Sequence, residues 1–229
     1  MKILGIDTST KVLSLVLSEG DNILWQANRS DQLRHLEVIV PMIEKGLKRC
    51  KWKPRDIQVI ASGIGPGSFT GLRVGLATVK GYQMVCNSKL LALSSLDIIA
   101  QNADIENEAL VMIDARRGKV YGAFYSAGNG IMRKKGKDSI YAFETLVDRL
   151  KTKKKKICIL GDGVRVYGEK LKDIFGDQVK LIQESSWYPS GKNIIKCVSS
   201  AIAAKQSFTS VNEIKPVYLQ LLAAKQSKK

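Results

Sequence analysis

Two short segments carry side chains and bare backbone that could do chemistry. Asp7-Thr8-Ser9-Thr10 sets a carboxylate and three hydroxyls directly after the apolar run Ile3 to Ile6. Gly65-Pro66-Gly67-Ser68-Phe69-Thr70-Gly71 sets three glycines, a proline and two hydroxyls ahead of a stretch with helical apolar spacing. A carboxylate in the first position can hold magnesium through water, or accept N–H groups within its own turn as Asx residues do. The second segment is not a common phosphate loop. No Gly-Lys pair stands where a P-loop requires one, and Thr70 occupies the place of the third glycine in the dinucleotide fingerprint. Gly65 and Gly67 permit backbone conformations closed to other residues, Pro66 fixes one φ, and Ser68 or Thr70 can cap the following helix. The expected product is a helix N-terminus that seats either an anion or a tightly packed neighbour.

Other reactive groups are sparse. His35 is the only histidine, so a metal site built on paired histidines is excluded and no metal ligand set is expected. His35 itself is expected on a helix surface or at an interface. Ser68 has no histidine other than His35 to serve as its base, and Lys80 stands at no spacing that makes a dyad, so no catalytic residue is assigned. Cys50, Cys86, Cys158 and Cys197 are scattered without a Cys-x-x-Cys pair and read as buried thiols.

The chain has 229 residues and a net charge of +16, enough length for one large domain or two small ones. The positive charge concentrates in Arg133-Lys134-Lys135, in Lys151 to Lys156 and in the Lys225 to Lys229 tail. Such runs either attract a polyanion or are simply solvated faces. Asp7 interrupts the opening apolar segment, which argues against a signal peptide, and no apolar run is long enough to span a bilayer. The expectation is a cytoplasmic protein without membrane contact.

The elements that must position these residues follow from periodicity. Strands are predicted at Ile3 to Ile6, Val12 to Leu17 and Ile23 to Ala27, then a helix from Leu33 to Cys50, a strand at Ile57 to Ala61, a helix at Gly71 to Met84, a strand near Leu90 to Leu93 and a helix from Ser95. On the first helix Leu36, Ile39, Val40, Ile43, Leu47 and Cys50 form one apolar stripe, while Val38 and Met42 add a second line. On the second helix Gly71 and Gly75, with Thr78, make a groove bordered by Leu72, Val74, Leu76 and Val79. Together the two helices promise an apolar surface for another helix, unless this chain buries both faces itself.

The second half repeats the first. Leu4-Gly-Ile-Asp7 followed by Lys11-Val-Leu matches Val111-Met-Ile-Asp114 followed by Lys119-Val-Tyr, and the strand Ile157 to Leu160 with Gly161-Asp162-Gly163 mirrors Ile57 to Ala61 with its glycines. Two similar β-β-β-α-β-α units imply a duplicated α/β architecture, each unit a mixed five-stranded sheet flanked by helices. The expected units are residues 1–103 and 104–215, with residues 216–229 forming a C-terminal helix and basic tail that packs back on the first.

Asp7-Thr8-Ser9-Thr10 in a duplicated fold resembles the opening of the actin-like ATPase superfamily, whose halves are ribonuclease H-like. Combined with Gly65-Pro-Gly-Ser-Phe-Thr-Gly-Leu-Arg-Val-Gly, the chain resembles the TsaB (YeaZ) family of bacterial tRNA threonylcarbamoyladenosine biosynthesis. The resemblance extends through His35 to Pro41, Asp114 to Tyr121 and Pro216-Val-Tyr218-Leu, with departures at Leu36 and Gln220. It implies a noncatalytic subunit that binds TsaD as a heterodimer and supports threonylcarbamoyl transfer to the adenosine beside the anticodon. TsaE is implied as a third subunit, tRNA as a partner through the complex, and a homodimer when the chain is alone. The partner interface is assigned to Leu36, Ile39, Val40, Ile43, Leu47, Leu72, Arg73, Val74, Gly75 and Val79. Asp7, Thr8, Ser9, Gly65, Gly67, Ser68, Gly161 and Gly163 become a vestigial phosphate site. No cofactor is required by the chain alone, and ATP or ADP with Mg is implied only at the complex interface. The rival readings are an independent ATPase or small-molecule kinase using Asp7, Thr8, Ser68 and Gly161 to Gly163, and a peptidase acting on TsaD through Ser68.

Overall fold

The computed structural model describes residues 1–30, 35–104, 106 and 108–219. Its ten strands form two five-stranded sheets of the same internal plan.

In the first sheet β1 (Lys2–Asp7), β2 (Val12–Glu19) and β3 (Asn22–Ser30) form an antiparallel meander, and β4 (Val59–Gly63) and β5 (Lys89–Leu93) add in parallel. Because side chains alternate across a strand, each buried strand feeds two cores. Leu4, Ile6, Leu13, Leu15, Leu17 and Ile60 face α1 (His35–Cys50) and α2 (Phe69–Cys86), which contribute Ile39, Ile43, Leu47, Leu76 and Val79. Ile3, Val16, Val59, Ala61 and Leu91 face α6 (Gly191–Ala203) through Ile194, Ile195, Val198 and Ala201. α6 comes close enough that a Cβ at Gly5 would meet Ile194 at 2.6 Å.

The second sheet repeats this plan with β6 (Glu108–Asp114), β7 (Lys119–Gly128), β8 (Ile131–Ala142), β9 (Ile157–Leu160) and β10 (Val179–Leu181). Here α4 (Phe143–Lys151) and α5 (Gly163–Phe175) supply the buried Leu146, Leu150, Tyr167 and Leu171, and Phe143 stacks on Tyr167 with ring centroids 4.5 Å apart. The duplicated, helix-flanked mixed sheets are the fold class the sequence predicts.

The chain divides into Met1–Ile98 with Pro189–Val217, and Ile99–Tyr188 with Tyr218 and Leu219. The short helix α3 (Ser95–Ala100) holds this boundary. A division at residues 103/104 and 215/216 would put α6 with the second unit. The structure gives it to the first, because the far face of the first sheet needs a cover that no nearer helix supplies. Val217 N–H donates to the Ile64 carbonyl at 2.8 Å, which ties Lys215 to Val217 to the first unit. The predicted terminal helix, the basic tail, Gln220 and the Leu33 start of the first helix lie outside the described residues. Among the described residues no helix is long and apolar enough to cross a membrane.

Candidate functional site

Asp7 ends β1 and is fully buried. Its Oδ1 accepts the Ser9 N–H at 2.8 Å and the Ser9 hydroxyl at 2.6 Å, which closes an Asx turn. Its Oδ2 accepts the hydroxyl of Ser95, at the start of α3, at 2.7 Å, and Ser95 Oγ in turn accepts the Gly65 N–H at 3.1 Å. Burial pushes the Asp7 carboxyl above the usual carboxylate range, and the hydrogen bonds from Ser9 and Ser95 oppose that shift. Gly63 leaves room for this arrangement, since a Cβ there would strike Asp7 Oδ2.

The glycine segment closes over the same turn. Ser68, not Thr70, caps α2, its Oγ accepting the Gly71 N–H at 3.2 Å, while Ser68 N–H donates to the Ser9 carbonyl at 2.7 Å. A Cβ at Gly67 would strike the Ser9 carbonyl, one at Gly71 the Thr8 carbonyl, and one at Gly75 the Thr8 hydroxyl. Three glycines at a spacing of four thus let α2 lie directly on Thr8 and Ser9, both of them buried. Of the two occupants predicted for this helix N-terminus, the tightly packed neighbour is present, and it is the chain's own first turn.

The structure therefore brings together Asp7, Thr8, Ser9, Gly65, Gly67 and Ser68. The enclosed Asp7 carboxylate and the covered backbone of Thr8 and Ser9 do not fit a magnesium nucleotide. Among the described residues no three His, Cys, Asp or Glu side chains gather as a ligand set. Ser68 is committed to its cap. His35, expected on a helix surface or at an interface, is buried at the first position of α1.

Gly161 and Gly163 belong to the second unit. There they admit close approach of the β9–α5 turn to the Met112 carbonyl, which a Cβ at Gly163 would meet at 3.0 Å. The turn after β6 repeats the first unit's chemistry, with Asp114 Oδ1 accepting the Arg116 N–H at 2.9 Å, two residues on as in the Asp7 turn. Asp162 Oδ1 accepts the Asp114 N–H at 3.1 Å.

The residues assigned to a partner interface separate into two groups. Ile39, Ile43, Leu47, Leu72, Gly75 and Val79 are buried in the first unit, so they are core residues and not a free surface. Their stripe faces the sheet because β1, β2 and β4 present Leu4, Ile6, Leu13, Leu15 and Ile60 on that side. Leu36 (72 % exposed), Val40 (42 %) and Arg73 remain outward, and Val74 is half-buried. The sequence reading missed three further outward side chains of α2: Phe69 (47 %), Met84 (81 %) and Val85 (57 %). Phe69, Arg73, Ala77 and Met84 recur at helical spacing along a line that flanks the buried stripe of Leu72, Leu76 and Val79, a signal present in the sequence. The Arg73 guanidinium lies over the Phe69 ring, 3.8 Å from its centroid.

Fold and site define a duplicated α/β protein, two mixed five-stranded sheets flanked by helices, whose first-strand aspartate is sealed beneath a glycine-faced helix. The chain belongs to the family described as TsaD: tRNA N6-adenosine threonylcarbamoyltransferase, whose model matches residues 29–160. Full-length similarity is to proteins named for tRNA threonylcarbamoyladenosine biosynthesis, TsaB. The Bacillus subtilis protein is 25 % identical over 98 % of this chain and 96 % of its own, and the Escherichia coli protein 28 % identical over 96 % and 95 %. A Pseudomonas aeruginosa protein described as similar to peptidase YeaZ superimposes with a TM-score of 0.82 at 25 % identity, covering 95 % of this chain and 99 % of that one. The structure of YeaZ from the same organism gives a TM-score of 0.79 at 24 % identity, with the same coverage.

Proposed function

We propose that this chain is a noncatalytic subunit in the transfer of threonylcarbamoyl to the adenosine beside the anticodon of tRNA, and that it works by docking a TsaD-type catalytic subunit. The observation that carries this reading is the outward apolar side of α1 and α2, where Leu36, Val40, Phe69, Met84 and Val85 stand in solvent. Large apolar side chains left exposed on two adjoining helices suit a helical partner better than water. The sealed Asp7 turn is consistent with chemistry residing in that partner. A TsaE-type ATPase completes the assembly in this reading, with ATP or ADP and magnesium held at the complex interface. A second copy of this chain takes the same face when the partner is absent.

The test is Leu36→Asp combined with Met84→Asp, two substitutions at exposed positions. The variant is expected to keep the wild-type circular dichroism and urea midpoint, yet to lose co-sedimentation with a TsaD-type subunit and to run as a monomer when alone. Retained docking in that variant, or ATP turnover by the wild-type chain without a partner, would overturn the reading.

A further inference from the structure

The positive charge of the second unit is local. Residues 133–156 hold ten Lys and Arg against three Asp and Glu, a net of +7. The rest of residues 99–188 holds seven against nine, a net of −2. The fold gathers the positive segment onto one side. β8 is an edge strand, and its alternation turns Met132 and Lys134 inward while Arg133 and Lys135 are exposed. Lys135 pairs across the ladder with Phe124 on β7, so their side chains share a face. Lys153, in the turn after α4, lies over that same Phe124 ring with Nζ 5.1 Å from the centroid, and Arg149 of α4 lies 5.1 Å from the centroid of Tyr141 on β8. Strand edge, helix end and lysine turn thus form one continuous cationic rail.

The carboxylates nearby neutralise only part of it. Asp138, Asp148 and Glu108 pair with Lys134, Lys151 and Lys153. Among the described residues no carboxylate pairs with Arg133, Lys135, Lys154, Lys155 or Lys156. The rail also has a specific chemical character. Phe124 and Tyr141 are buried, so their rings are not available to stack on bases. None of the exposed large apolar side chains falls within residues 133–156, so nothing is present to insert into a bilayer. What remains is a line of cations on a rigid strand and an adjacent turn, suited to successive phosphates.

We propose that this rail binds the sugar–phosphate backbone of RNA directly and without reading bases. The choice of RNA rests on the function proposed above. The rail would then grip the tRNA substrate while the catalytic partner handles its anticodon loop.

The experiment measures binding of the full chain to an unmodified tRNA transcript by fluorescence anisotropy between about 50 and 200 mM salt. The triple variant Lys135→Ala, Lys154→Ala, Lys155→Ala is compared with Lys53→Ala, Lys192→Ala, Lys215→Ala, which removes equal charge from exposed positions of the first unit. The rail variant is expected to flatten the plot of log affinity against log salt by about 2–3 and to weaken binding about tenfold or more at the lowest salt. The control variant should keep the wild-type slope. Equal losses in both variants, or an unchanged rail variant, would overturn the proposal. So would binding of the wild type to phosphatidylserine vesicles, through the same lysines, more tightly than to tRNA. The docking test with Leu36→Asp and Met84→Asp uses none of these residues, so failure of the rail leaves the subunit reading to be decided separately.

Discussion

Thr8 and Gly75 are in contact across the seam between the first turn and α2, and the Thr8 hydroxyl occupies the space a Cβ on Gly75 would need. This contact explains why a helix interior carries glycine at a cost of roughly 0.5–1 kcal/mol relative to alanine. Gly75→Ala is therefore expected to destabilise the protein by about 1–3 kcal/mol through overpacking, despite the gain in helix propensity. In a Thr8→Ala background the same substitution should become nearly neutral. A coupling below about 0.5 kcal/mol in the double-mutant cycle, measured by urea unfolding, would show that the two residues do not constrain each other.

Gly81, on the same helix, has nothing within 4 Å of its would-be Cβ and is exposed. Gly81→Ala should raise stability by about 0.5–1 kcal/mol. Urea titration at low protein concentration, where self-association is minimal, checks the sign. Two glycine-to-alanine changes in one helix thus have opposite expected effects.

Asp7 makes stability depend on pH in a definite direction. Burial raises its folded pKa above the ordinary value of 3.8. The folded state therefore holds the proton more tightly than the unfolded chain does. Below the unfolded value both states are protonated and Asp7 exacts no penalty. As pH rises through the window from 3.8 to the folded value, the unfolded chain ionises first and stability falls. Asp7→Asn can keep the Ser9 turn through its carbonyl oxygen and removes the ionisation. The difference in urea midpoint between wild type and this variant should shift in favour of the variant on going from pH 3 to pH 7. A difference constant across that range would be inconsistent with the shift. Asp56 and Glu213 are held below the usual carboxylate range, chiefly by hydrogen bonds from Lys53 and Ser210. Their contributions run oppositely, fading as pH falls, but they are common to both proteins.

The inward and outward stripes of α1 should separate cleanly. Ile43→Ala removes a fully buried side chain and is expected to cost about 2–5 kcal/mol of stability. Val40→Asp, three residues earlier on an exposed position, should change stability by no more than about 0.5 kcal/mol and weaken docking. Co-sedimentation alongside thermal unfolding distinguishes them, and a large loss of stability in Val40→Asp would place that residue in the core.

Tyr82 offers a local probe of the α1–α2 seam. Burial first, and the nearby Glu44 carboxylate second, push its phenol up to about 12. Glu44→Gln should lower that value, read by ultraviolet difference spectra of the tyrosine. No change would mean that Glu44 does not face Tyr82.

Much of the architecture was legible because it is locally encoded. The strand Ile157–Leu160 matches its prediction to the residue, and the repeated strand-turn-strand around Asp7 and Asp114 announced the duplication. The second glycine loop was legible only as a loop. That Gly161 and Gly163 serve an approach to the Met112 carbonyl depends on β6, far away in sequence. Ser95 was missed as a partner of Asp7 because the two lie 88 positions apart with no pattern linking them. The groove of Gly71 and Gly75 was correctly read as a place of close approach, but its occupant was misassigned. A glycine at helical spacing says that something comes near, not what.

Sequence alone determined the alternation that makes the strands, the heptad-like stripes that make the helices, the solitary histidine and the placement of the lysine runs, since composition and period are properties of neighbouring residues. Tertiary structure decided which stripe of α1 and α2 turns inward, that α2 seals the Asp7 turn, and that α6 returns to cover the first sheet. Those outcomes depend on surfaces brought together from distant parts of the chain, where burial of the larger apolar face and the fit of a missing Cβ select one packing.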